Sequence, residues 1–204
     1  MRIGAPELEA WSSRELVDAA TMNRRIRDVH RWLATPPSAR VMGAPLSLLA
    51  NTASALPFYA PGAEPFEGHS YEALVGMAPS QPGGLVHRLV APATGWYRAR
   101  VGAGIWAGNP SPGWPGRNVW VDIAVNAEPT GSAIAAGSRH RAALDQATDN
   151  IHRGVVLAEL QLAAGDAVLV AATIDGSAGA WANSTHHASL PYTAFFELHW
   201  GGEL

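Results

Sequence analysis

Two hydrophobic periods divide the chain. Between residues 12 and 34, Ala19, Met22, Ile26, Val29 and Leu33 recur at steps of three, four, three and four, the spacing of a heptad seam. Ser12 offers an N-cap with Glu15 as its capping-box partner. Pro36 and Pro37 end the run, because proline can neither continue a helix nor follow a helical residue comfortably. Arg24, Arg25, Arg27, Asp28 and Arg31 fall off the seam, on the outer face. A free helix of this length is marginal in water. The spacing therefore predicts a coiled-coil-like helical segment over 1–38 that meets copies of itself or docks on another protein.

From residue 39 the period is two. In "GWYRARVGAGIWA", Tyr97, Ala99, Val101, Ala103 and Ile105 alternate with Arg98, Arg100, Gly102 and Gly104. In "RNVWVDIAVN", Val119, Val121, Ile123 and Val125 alternate with Asn118, Trp120, Asp122 and Ala124. "VVLAELQLAAGDAVLVAATIDG" reads as two strands joined at Ala164-Gly165-Asp166, and "YTAFFELHW" sets Ala194, Phe196, Leu198 and Trp200 on one side. Weaker strands fit "ARVMGA", "LSLLANT", "ALPFYA", "YEALVGM" and "LVHRLVA". Short strands between Gly, Pro and Asn turns predict an antiparallel β-sandwich, of jelly-roll type, over 39–204. Stretches 108–118 and 175–191 lack apolar periodicity and read as loops. They carry Trp114, Arg117, Trp181, Asn183, His186 and His187 as candidates for contact with another surface. Residues 127–150 fit either one short strand or a helical turn near "RAALDQA".

Composition narrows the chemistry. The 204 residues are 48% hydrophobic and 15% charged, with 21 Gly and 15 Pro, as expected of strands joined by irregular turns. A net charge of −3 supplies no basic field for nucleic acid. The arginine-rich helix also carries Glu15, Asp18 and Asp28, so its arginines read as a solvated face. With no cysteine, disulfides and thiolate chemistry are excluded. The first residues lack the apolar core of a signal peptide, and no run approaches the ~20 apolar residues of a membrane span.

Catalytic motifs are absent from the sequence. "DGSAG" lacks the spacing of a nucleophile elbow, and "GAGIWAG" lies inside a strand pattern, where glycine permits close packing or a bulge. Asp122 and Glu197 raise a paired-acid site, although solvated strand carboxylates are the simpler reading. His186 and His187 are adjacent and point apart on an extended segment, so no metal site is expected unless a three-fold axis gathers copies. The expectation is a protein without enzymatic activity, metal or cofactor.

The segment "WSSRELVDAATMNRRIRDVHRWLATPPSARV" resembles the N-terminal part of tail-associated virion proteins of phages infecting actinobacteria. The matching residues are Trp11, Glu15, Leu16, Val17, Ala19, Ala20, Asn23, Ile26, Arg27, Asp28, Trp32, Leu33, Pro36 and Pro37. Asp18 departs from the family's usual Thr. "LVAPATGWYRARVGAGIWA", "LQLAAGDAVLVAAT" and "TAFFELHW" are similar to strands of a C1q/TNF-like jelly roll. The resemblance implies a homotrimer in a virion assembled in the host cytoplasm, with an N-terminal anchor and a trimeric β-head. Expected partners are other virion proteins, of tail, baseplate or capsid, and a host-surface glycan met by the loops. A capsid decoration protein is the alternative; a polysaccharide depolymerase or a free-standing lectin-like module fits less well.

Overall fold

The computed structural model describes residues 36–44, 46–49, 51–59, 84–106, 118–127, 129–130, 133–134, 139–146, 151–174, 181–184 and 194–202. The seam at Ala19, Met22, Ile26, Val29 and Leu33 lies outside them, as does the weak strand "YEALVGM". The described residues form β1 (Ser38–Met42), β2 (Leu46–Leu49), β3 (Ser54–Ala55), β4 (Phe58–Tyr59), β5 (Leu85–Val86), β6 (Arg88–Val90), β7 (Gly95–Trp106) and β8 (Val119–Val125). They continue as β9 (Pro129–Thr130), β10 (Ala133–Ile134), β11 (Arg139–Ala143), β12 (Asp145–Gln146), β13 (Ile151–Leu162), β14 (Ala167–Ile174), β15 (Trp181–Ser184) and β16 (Phe195–Gly202).

Two antiparallel sheets make the body. The larger runs β1-β16-β7-β13-β12, with β15 joining β7 to β2; the smaller runs β11-β8-β14-β3, with β6 also on β14. The principal strands β1, β6, β7, β8, β11, β13, β14 and β16 go to the larger, smaller, larger, smaller, smaller, larger, smaller and larger sheet. This alternation is the winding of a jelly roll. The inward positions are those that the period of two marks: Tyr97, Ala99, Val101, Ala103 and Ile105 from β7 meet Val119, Val121 and Ile123 from β8 in one core. Leu160 and Leu162, Val168 and Val170, and Phe196 and Leu198 complete it. Phe58 tilts against Phe196 with ring centroids 5.6 Å apart.

One end of the sandwich is tied by turn chemistry. Gly165 takes φ +94°, which L side chains rarely adopt. Asp166 beside it accepts a hydrogen bond from the Ala163 N–H at 2.8 Å and another from Asn126 Nδ2 at 2.8 Å. The Ala167 N–H donates to Asn126 Oδ1 at 2.9 Å, so the Gly-Asp turn is fastened to the end of β8. Tyr97 closes the same end: its hydroxyl donates to the Ala93 carbonyl at 2.8 Å and accepts from the Ala93 N–H at 3.3 Å. A Cβ on Gly95 would come within 2.4 Å of the Gly202 carbonyl and of Trp200 Nε1. The "G-x-Y" at the head of β7 thus consists of one residue that must be small and one whose hydroxyl is used.

Three sequence-based expectations change. The ambiguous 127–150 stretch holds strands, with Arg139–Ala143 paired to β8 rather than a helical turn. Trp181 and Asn183 are not on a loop: β15 pairs Trp181 with Leu49 and Asn183 with Ser47 and Trp106. The pattern misses this because four residues are too few to show a period of two. Gly102 and Gly104 lie in an unbroken ladder with β13, and the irregularity falls instead between Trp200 and Gly202 on β16.

Candidate functional site on the open face of the larger sheet

The side of the larger sheet turned away from the core carries residues of the opposite parity, arranged in cross-strand rows. One row reads Arg40, Glu197, Arg100, Leu157 across β1, β16, β7 and β13. The next reads Ser38, His199, Arg98, Glu159. Strand alternation places these side chains on one surface.

Glu197 organises the first row. It is only 7% exposed, and its Oε1 lies 3.0 Å from Arg40 Nε while its Oε2 lies 3.6 Å from Arg100. His199 Nε2 is 3.9 Å from the same Oε2. Both guanidinium groups also sit over the Phe195 ring, at 5.0 and 5.1 Å from its centre. A buried carboxylate needs such partners to offset its desolvation, and the ring favours a cation above its face. Arg98 reaches Glu159 at 3.4 Å, both largely in solvent.

Beside this charged strip the face is apolar where water should favour polar groups. Leu157 is 63% exposed, Val155 51% and Trp96 47%; Gln161 pairs with Trp96 in the adjoining row. Singly exposed apolar residues are common, but three large ones on a single sheet face mark a surface suited to a partner. The sequence does carry the signal: in "VVLAELQL" the alternation breaks, with Val155 and Leu157 at outward positions.

The opposite outer face, on the smaller sheet, holds buried residues of its own. Asp122 is 0% exposed and receives Arg141 in a fork, Nε at 2.8 Å from Oδ1 and Nη2 at 2.9 Å from Oδ2. The guanidinium lies over Trp120, 5.5 Å from the ring centre. A small cluster of Ala53, Ala124, Ala127, Leu169 and Ala171 is buried beside it. Asp122 and Glu197 are therefore neither solvated nor paired with each other. They lie on opposite faces of the sandwich, each held by arginine, and cannot act on one glycosidic bond.

Of the candidates for surface contact, Trp114, Arg117, His186 and His187 lie outside the described residues. Trp181 and Asn183 fall on β15, at the edge that joins β2 to β7. No group of three or more His, Asp or Glu able to hold a metal ion occurs among the described residues. His152, which the sequence did not single out, is buried in the core at 2% exposure. Burial pulls its pKa below the ordinary histidine value, against a hydrogen bond to the Leu144 backbone that raises it.

These features define an antiparallel jelly-roll domain with one closed outer face and one open face of mixed charge and apolar character. No protein-family model matches the chain, and no curated protein matches it. Among solved structures it is similar to the Eiger TNF from S. frugiperda, at 17% identity and a TM-score of 0.45, over 82% of this chain and 94% of that one. It is also similar to the globular domain of zebrafish complement 1qA, at 10% identity and a TM-score of 0.46, over 82% of this chain and 99% of that one. Both likenesses are of fold alone.

Proposed function

We propose that the chain is a homotrimeric structural protein of a phage virion, of minor tail or fibre type. In this reading the N-terminal segment anchors it and the β-head presents its loops to the host surface. The observation that carries self-association is the exposed Val155, Leu157 and Trp96 on a single sheet face. The virion assignment rests on the resemblance over residues 11–37. The separation of Asp122 from Glu197, each committed to arginine, favours a role in binding and assembly over glycoside cleavage. Weak contacts made by each copy's loops multiply when copies are linked and the geometry lets them engage together.

Sedimentation of the purified full chain tests assembly: a trimer is expected, and a monomer at every accessible concentration sinks the reading. Mass spectrometry of separated heads and tails tests location. Recovery on tails supports the proposal, and recovery only on heads supports a capsid decoration protein instead. Trp114→Ala is expected to lower adsorption to host cells with little change in melting temperature. A large fall in melting temperature would show Trp114 to be a lid on the sandwich.

A further inference from the structure

We propose that residues 144–146 form a clasp between the two sheets, and that protonation of His152 opens it. The inference stands apart from the virion reading and concerns the β-sandwich alone. Leu144 is the single residue between β11 on the smaller sheet and β12 on the larger. Its N–H donates to the Val119 carbonyl at 2.8 Å, which ties the end of β11 to β8. Its side chain rests on β13, with Cδ2 3.0 Å from the place a Cβ on Gly154 would take.

His152 lies beneath this crossing. It holds an inward position on β13, in line with the buried Val156, Ala158 and Leu160. In register it stands between Ile105 of β7 and Gln146 of β12. Its ring bonds to the Leu144 backbone, and its Nδ1 is buried without a partner. An imidazolium carries an N–H on both nitrogens. Protonation would therefore place a charged donor at Nδ1 with nothing to accept it. Among the described residues no carboxylate stands on the same side of the neighbouring strands. Arg153 and Glu159 of β13, Arg98 and Arg100 of β7, and Asp145 of β12 hold positions of the other parity. Asp122 of β8 is on the outer side, bound by Arg141 of β11, and Arg139 shares the parity of Arg141. His140 shares the parity of Leu144 but is exposed, four residues away along β11.

Water reaches the ring at least cost through the clasp. On one side β7 pairs with all 12 residues of β13. On the other, β12 has 2 residues and ends the sheet among the described residues. Lifting residues 144–146 gives up the β12 ladder and the Leu144 bond to Val119, and leaves β7, β8, β13 and β14 paired as before. Local openings of this size cost less than global unfolding. In the closed form burial holds the ring below the ordinary histidine value; in the open, hydrated form it returns to about 6.5. The closed form is therefore fully favoured above that pH, and protons draw the clasp open below it.

Amide hydrogen exchange of the full-length protein tests this, read as protection factors so that the intrinsic pH dependence of exchange drops out. Protection over residues 144–146 is expected to fall about 10-fold between about pH 7.5 and pH 5, while protection over β14 holds. His152→Gln removes the titrating ring, and its clasp is expected to keep the same protection at both pH values. Unchanged protection in the parent, an equal fall over β14, or an equal fall over the clasp of His152→Gln would each overturn the proposal. Should His152→Gln not fold, the His152 ring of the parent, followed by NMR, decides. It must take up its proton over the range in which clasp protection falls, and a ring still neutral after the clasp has opened overturns the proposal.

Discussion

Arg141 and Asp122 share one ion pair, yet removing Arg141 is expected to cost the protein far more than removing Asp122. The carboxylate is completely buried, whereas the Arg141 side chain keeps 32% exposure. With the charges about 4 Å apart and an effective dielectric constant of about 20, their attraction is about 4 kcal/mol. Arg141→Ala withdraws that attraction and strands a carboxylate that water cannot reach, a loss of about 3–5 kcal/mol. Asp122→Ala leaves a guanidinium that can turn toward solvent and still lies over Trp120. That loss is about 1–2 kcal/mol, after discounting for screening. In the Asp122→Ala background, Arg141→Ala should then add under about 1 kcal/mol, because no stranded charge remains. Urea unfolding followed by far-UV circular dichroism gives all the corners of the cycle. Equal costs for the two single variants, a reversed order, or additivity in the double variant would refute the reasoning. Any of these would reopen a role for Asp122 other than holding β11 to β8.

Other outcomes follow from buried groups at the two ends of the sandwich. Burial pushes the Tyr97 hydroxyl up from 10.0 to about 12, with the Ala93 hydrogen bond opposing. Its contribution is full below pH 10 and is lost as pH rises toward 12, roughly 2–3 kcal/mol in all; Tyr97→Phe should flatten that part of the pH–stability curve and cost about 1–2 kcal/mol at neutral pH. His152 has its pKa lowered from 6.5, so its contribution is full above pH 6.5 and declines below it as the unfolded chain takes up the proton first. His152→Leu should therefore lose less melting temperature than the parent between about pH 7 and pH 5, and an unchanged slope would count against a buried neutral imidazole. Gly95→Ala should destabilise by at least about 1 kcal/mol, because its Cβ meets the Gly202 backbone at 2.4 Å and backbone cannot swing aside; a melt unchanged from the parent would refute the close approach.

The alternation of apolar residues made the core legible residue by residue. The inward residues named from β7, and Val119, Val121 and Ile123 from β8, are buried in the core while Val125 is partly buried, because a half-buried strand writes its orientation into every second position; Asp122 and Ala124, on the other side of β8, are buried as well. The Gly-Asp turn was legible too, since Gly165 and Asp166 perform the tasks those residue types perform in turns. Shorter elements were not: β15 and β11 offer too few residues for a period to emerge. The candidate site was half legible. Val155 and Leu157 break the alternation in plain view. The role of Glu197 depends on Arg40 and Arg100, which are brought beside it only by β1 and β7 pairing with β16. Sequence could name the carboxylate as a polar strand residue, but not as a buried one.

The contrast between the two outer faces makes the choice of site an argument rather than a preference. Both contain a buried carboxylate bound by arginine that lies over an aromatic ring, so charge alone would not tell them apart. On the smaller sheet Asp122 takes both of its hydrogen bonds from one arginine, and small buried residues surround it. That pair is complete, and a partner would have nothing to add. On the larger sheet Glu197 divides its oxygens between two arginines, at 3.0 and 3.6 Å. The same face leaves Leu157 and Val155 in water, which costs about 25 cal/mol for every Å² that a partner could cover. Uncovered apolar area beside a charged strip is what distinguishes this face from the other.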